Sequence, residues 1–176
     1  MHDDFGLFRH ADDPIVGNAA GDVTLVEFFD YHCGYCRSMV GNLRNLVDGD
    51  KQIRFVMKEL PVLGPDSVTA AKAALAASKL DPAKYYDFHL ALMQSKDIGL
   101  ETVLKIAAAK GYDPKALKAE MDAPWIQERL DANHALAESL GINGTPSFVI
   151  GKTLIPGAVD IGRRAQLVTD ERQTPQ

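Results

Sequence analysis

Apolar positions along the chain come in two patterns. Compact β-branched and aromatic runs occur at residues 23–29 (VTLVEFF), 53–58 (IRFVMK) and 147–150 (SFVI). Such short, nearly continuous runs predict buried strands. Between the second and third runs, residues 64–140 show helical spacing with helix punctuation. Asp81-Pro82 and Asp113-Pro114 each supply an N-cap followed by proline at the first helical position. Gly111 and Gly141 stand where helices should end. The expected helices run from 65 to 79, 83 to 94, 100 to 110, 114 to 121 and 124 to 140. Ahead of the first strong strand, residues 1–22 form an arm with one short strand near 14–16. A helix is expected from 33–34 to 47, before the Asp48-Gly49-Asp50 turn signal. Strand, helix, strand over this span is a βαβ unit with parallel strands and a right-handed crossover. Gly151-Lys152 between the last two strand runs, 147–150 and 153–155, is a two-residue hairpin signal. A closing helix is expected over 159–168, and the remaining residues to 176 as a frayed end.

The expected class is therefore α/β: βαβ, then a helical block, then ββα, with a mixed central sheet. Residues 1–63 and 141–176 form the sheet-bearing part, and 64–140 an inserted helical subdomain that includes the helix returning to the sheet. The length of 176 residues suits one domain with one embedded subdomain.

Composition narrows the function. The net charge of −5 and the lack of a Lys/Arg run argue against a nucleic-acid surface. No apolar stretch approaches the roughly 20 residues of a membrane-spanning helix, and the polar first ten residues carry no signal-peptide pattern. The two cysteines, Cys33 and Cys36, lie three positions apart. Alone they are too few for a structural zinc site, and the five histidines show no metal-ligand spacing. A disulfide closing so small a loop staples almost nothing. No cofactor other than a redox-active disulfide is expected.

Cys33 falls between a strand end and a helix start, where unpaired amides and the helix dipole favour a thiolate. Cys36, one turn on, is placed to resolve a mixed disulfide made by Cys33. A Cys-x-x-Cys opening a helix inside a βαβ unit is the setting of a redox motif.

The segment VEFFDYHCGYC, the later GINGTPSFVI and the long helical insert between them resemble the DsbA-like thioredoxin superfamily, in particular the exported bacterial type that includes suppressor-of-copper-sensitivity C proteins. The resemblance spans roughly residues 12–168. It implies a thioredoxin fold, with Cys33 the exposed nucleophile and Cys36 its buried partner. Gly34 and Tyr35 become the dipeptide that tunes the redox potential, Thr145-Pro146 a cis-proline loop facing substrate, and Glu27 a buried acid that relays protons to the buried cysteine. His32, directly before the nucleophile, either favours the thiolate when protonated or is a solvated loop residue. Glu27 has a plainer alternative too, a buried acid satisfied by Lys58. Tyr31 and Tyr35 are candidates for an apolar rim, with ordinary packing an equal alternative for Tyr31; His89 and His134 read as structural or exposed.

The resemblance further implies export to the periplasm or an equivalent compartment, unfolded or misoxidised proteins as substrates, and a membrane redox partner. Gly34-Tyr35 and Thr145 lean toward the isomerase members, so the direction of exchange stays open between oxidase, isomerase and reductase. The chain as given is expected to be a monomer, with oligomers if a further N-terminal segment exists. A Cu(I) carrier using both thiolates is an alternative of another class.

Overall fold

The computed structural model describes residues 4–158 and 161–173. In chain order the elements are α1 (Asp4–Phe8), β1 (Ile15–Gly17), β2 (Val23–Phe29), α2 (Gly34–Gly49) and β3 (Ile53–Glu59). Five helices follow: α3 (Pro65–Leu80), α4 (Pro82–Gln94), α5 (Leu100–Ala109), α6 (Pro114–Met121) and α7 (Pro124–Ser139). The chain then returns through β4 (Ser147–Ile150) and β5 (Thr153–Pro156) to α8 (Ile161–Gln173).

The five strands form one mixed sheet in the order β1-β3-β2-β4-β5. β2 and β3 are parallel, joined through α2, and the other neighbours are antiparallel. β2 is central, so its run of apolar residues has neighbours on both edges and both faces. Alternation divides its side chains. Val23, Leu25 and Phe29 join the larger core under α2, α3 and α4, together with Phe55, Met57 and Phe148. Val26 and Phe28 join a smaller core on the opposite face, with Leu7, Val56, Ala137 and Val149.

The punctuation read from the sequence acts as expected. The Asp81 and Asp113 side chains accept hydrogen bonds from the amides of Ala83 and Lys115, each with proline in the first helical turn. Gly111, at φ +86°, ends α5 in a left-handed conformation that residues with a Cβ resist. Gly151, at φ +56°, turns the β4–β5 hairpin, in which Ile150 opposes Thr153.

The structure departs from expectation at several ends. The arm contains a short helix, α1, as well as its strand. α2 continues to Gly49, through the expected Asp-Gly-Asp turn, and Asp50 closes it by donating its amide to the Leu46 carbonyl. The last helix covers Thr169–Gln173, where fraying was expected. Arg172 holds that turn down by pairing with Asp22 and Asp50 near the starts of β2 and β3. The expected helix start at residues 159–160 and the tail at 174–176 lie outside the described residues. No helix among the described residues is long and apolar enough to cross a membrane.

Candidate active site

β2 delivers the chain to the redox motif. After Phe29, the Cys33 amide donates to the Asp30 carbonyl at 3.1 Å, closing a turn. Cys33 is itself the N-cap of α2: its backbone is extended (φ −69°, ψ 114°) and its Sγ accepts the Cys36 amide at 3.1 Å. A sulfur thus occupies the place normally taken by a Ser or Asp oxygen, facing unpaired amides at the positive end of the helix dipole. The Thr145-Pro146 peptide is cis, and the Thr145 carbonyl lies 3.4 Å from Cys33 Sγ, accepting from the thiol. Motif and proline loop, separated by more than a hundred residues, are therefore in direct contact.

The two sulfurs have opposite electrostatics. The Cys36 thiol hydrogen-bonds Cys33 and, with the Thr145 side chain and the Cys36 amide, outweighs burial to lower the Cys33 pKa to about 6. The same bond, in which Cys36 is the donor, drives the Cys36 pKa far up, and burial and the nearby Glu27 carboxyl add to it. The sequence reading makes Cys33 the exposed sulfur, yet both are buried, at 5% accessible for Cys33 and 1% for Cys36. Gly34 leaves the approach open, since a Cβ there would meet nothing within 4 Å. Tyr35 projects outward, 70% exposed.

Glu27 is buried on β2, and desolvation raises its pKa to about 8. Arg164 opposes that rise and Cys33 adds to it. Lys58 is not its partner. Lys58 stands opposite Phe28 in the β2–β3 register and so faces the other side of the sheet. There it binds the Asp13 carboxylate and donates to the Gly6 carbonyl at 2.6 Å.

His32 is half-buried, and its amide donates to Asp30 Oδ1 at 2.7 Å. The main influences on the Cys33 thiol do not include its ring. Tyr31 is packed rather than exposed, edge-on to Phe29 and hydrogen-bonded at 2.9 Å to His89 Nδ1. Burial lowers the His89 pKa to about 3, which keeps that ring neutral.

Asp30 escaped the sequence reading. One oxygen accepts from the His32 amide and the Ser67 hydroxyl, the other from the amides of Val62 and Leu63. It thereby fixes the 60–64 loop beside the motif, and Val62 and Leu63 on that loop are each 50% exposed. The only sequence signal is an acid directly after a buried strand, whose partners cannot be read locally. Arg37, next to Cys36, also went unread: its Nε donates to the Met93 carbonyl at 2.8 Å, and its guanidinium also binds the Ser95 carbonyl, at the end of α4. Among the described residues, no group of three or more His, Cys, Asp or Glu is arranged to hold a metal ion.

Fold and site together define a thioredoxin-fold protein with a dithiol redox centre at the start of its first core helix. A family model for the DSBA-like thioredoxin domain matches residues 24–168. The chain belongs to that family. It is similar to a thioredoxin-like oxidoreductase from Silicibacter pomeroyi DSS-3, with 41% identity, a TM-score of 0.93 and coverage of 99% of this chain and 100% of that one. It is also similar to the thiol-disulfide exchange protein alpha-DsbA2 of Wolbachia pipientis, with 31% identity, a TM-score of 0.89 and coverage of 94% and 90%. Among curated proteins it matches a Na(+)/H(+) antiporter NhaA of Herminiimonas arsenicoxydans at 30% identity over 152 residues, covering 84% of this chain. The chain spans only 24% of that antiporter's length. The Cys33–Cys36 pair of this chain is a thiol–disulfide exchange centre.

Proposed function

We propose that the chain exchanges disulfides with extended segments of protein substrates, with Cys33 as the sulfur that joins to substrate and Cys36 as the sulfur that resolves the mixed disulfide. The observation that carries this reading is the asymmetry of the pair. With a pKa of about 6, Cys33 is mostly thiolate at neutral pH, while Cys36 stays protonated. Attack therefore runs through Cys33, and closure waits on removal of the Cys36 proton. Glu27, the buried carboxyl nearest in electrostatic effect, takes that role in both directions. The Thr145 carbonyl, beside the reacting sulfur, offers main-chain pairing to an extended segment, as in strand addition. Tyr35, Val62 and Leu63 supply the exposed apolar surface around it.

The preferred direction is donation of the disulfide. A Cys33 pKa near 6 instead of the ordinary 9 stabilises the dithiol form at pH 7 about tenfold, or roughly 30 mV toward a more oxidising pair. Such a protein works in an oxidising, exported compartment, and a membrane redox partner restores its disulfide. Equilibration with a glutathione redox series tests the direction. A pair more oxidising than roughly −200 mV is expected for a donor, whereas a value near −270 mV, in the thioredoxin range, would make the protein a reductase. Cys33→Ser should abolish exchange with a scrambled or reduced substrate, and retained activity would refute the assignment of the nucleophile.

A further inference from the structure

Arg164, on α8, is 1% exposed. Its guanidinium lies 4.1 Å from the centroid of the Phe148 ring, and Nη2 is 3.6 Å from the sulfur of Met39. Both neighbours locate it. Phe148 is the register partner of Glu27 across β2 and β4. Directly opposed side chains in an antiparallel pair share a face, about 5 Å apart at Cβ. Met39 follows Cys36 by one helical turn and lies on the same buried face of α2. The guanidinium is thus bracketed between the sheet neighbour of Glu27 and the helix neighbour of Cys36.

Among the described residues, the other titratable groups that act on Glu27, or on which it acts, are acids. They are Cys33 and Cys36 from α2, Glu59 from β3, Tyr31 from the turn after β2, and Tyr85 and Tyr86 from α4. Negative charge on any of them disfavours the Glu27 carboxylate. Arg54 and Lys58, the cations on the neighbouring strand, pair in register with Thr24 and Phe28 and so face the other side of the sheet. Among the described residues, Arg164 is the group on the Glu27 side that favours its ionisation.

We infer that Arg164 is a positioning residue for the exchange reaction: its guanidinium supplies the positive charge that lets the Glu27 carboxyl release and retake a proton beneath Cys36 at neutral pH. The inference rests on the proposed role of Glu27. In the mixed disulfide, the Cys36 thiol gives its proton to the Glu27 carboxylate. The resulting thiolate attacks Cys33 Sγ, the Cys33–Cys36 bond forms, and the bond from Cys33 to substrate breaks. The substrate sulfur leaves as a thiolate with the electron pair, so the substrate disulfide is reduced and the protein dithiol oxidised. In the donating direction, a substrate thiolate attacks Cys33 of the intramolecular disulfide. Cys36 then leaves as a thiolate and takes the proton back from the Glu27 carboxyl.

The test is the rate of ring closure from a mixed disulfide between Cys33 and a fluorescent peptide, followed from pH 5 to pH 10. In the parent protein the rate should rise with a midpoint near 8, the Glu27 value. Arg164→Gln should move the midpoint up by about one unit or more and slow closure at pH 7 about tenfold. Arg164→Lys, which keeps the charge, should stay within about threefold of the parent. Should the glutamine variant fail to fold, Arg164→Met, whose side chain suits the cleft between Phe148 and Met39, takes its place with the same expectation. An unmoved midpoint in the neutral variant, with Glu27→Gln abolishing the pH dependence, overturns the role of Arg164 and leaves that of Glu27. If Glu27→Gln itself leaves the profile intact, the role of Glu27 falls and this one with it.

Discussion

Removing the resolving sulfur should change the acidity of the nucleophile by an amount the geometry sets. In the dithiol form the largest contribution to the low Cys33 pKa is the hydrogen bond from the Cys36 thiol. Cys36→Ala deletes that donor and leaves the Cys36 amide, 3.1 Å from Cys33 Sγ, in place. A hydrogen bond to a charged group contributes about 1.5–3 kcal/mol, which at about 1.4 kcal/mol per unit is a rise of about one to two pH units. The amide and the helix end remain, so Cys33 should titrate at about 7–8, short of the roughly 8.5 of a free thiol. Thiolate absorbance at 240 nm reads the midpoint directly. Alkylation by iodoacetamide adds an independent signature, because nucleophilicity rises with pKa. The variant should therefore react more slowly than the parent at pH 6 and faster at pH 9, with the two profiles crossing between. A midpoint that stays near 6, or falls, would refute the reasoning and assign the acidity to the helix end and Thr145 instead.

Other expectations concern stability. The Glu27 pKa rises from 4.5 to about 8 on folding, so its contribution is fully present below about pH 4.5 and is lost as pH climbs to 8. Glu27→Gln, fixed in the neutral form, should equal the parent near pH 4.5 and exceed it at pH 8 by at most about 5 kcal/mol in urea unfolding; equal pH dependence in both proteins would contradict this. Asp13→Ala strips the buried Lys58 of its counter-charge and should destabilise by about 3–5 kcal/mol in the same assay. At Gly21 a Cβ would lie 2.4 Å from the Gln52 carbonyl oxygen and 2.7 Å from the Arg54 amide nitrogen, so Gly21→Ala should cost about 1–3 kcal/mol and lower the melting temperature. Asp30→Ala releases the 60–64 loop, and hydrogen exchange at the Val62 and Leu63 amides should accelerate at least about tenfold.

Most of the scaffold was legible because its signals are local. A β-branched run such as 23–29 specifies a strand without help from the rest of the chain, and Asp-Pro specifies a helix start in two residues. The cysteine pair was legible for the same reason, being a short motif between two readable elements. Contacts across the fold were not. Lys58 reads as a possible partner for Glu27 until register shows which face of the sheet it occupies, and a shift of one residue reverses that face. Tyr31 and His89 meet although 58 residues separate them. Arg163 and Arg164 are adjacent on a polar helix with no local signal to tell them apart, yet the packing of α8 against α2, β2 and β4 buries the second.

The Arg37 tie has a consequence for how such chains can be recombined. It joins the residue after the redox motif to the carbonyl-rich end of a helix in the inserted segment, where a cation also offsets the helix dipole. The insert is therefore not an interchangeable cassette bounded only by its two junctions with the sheet. Transplanting residues 64–140 into a bare thioredoxin scaffold would leave the end of α4 uncapped unless the recipient carried arginine immediately after its second cysteine. In an ancestral or shuffled library, that flanking position and the end of α4 should behave as one inherited unit.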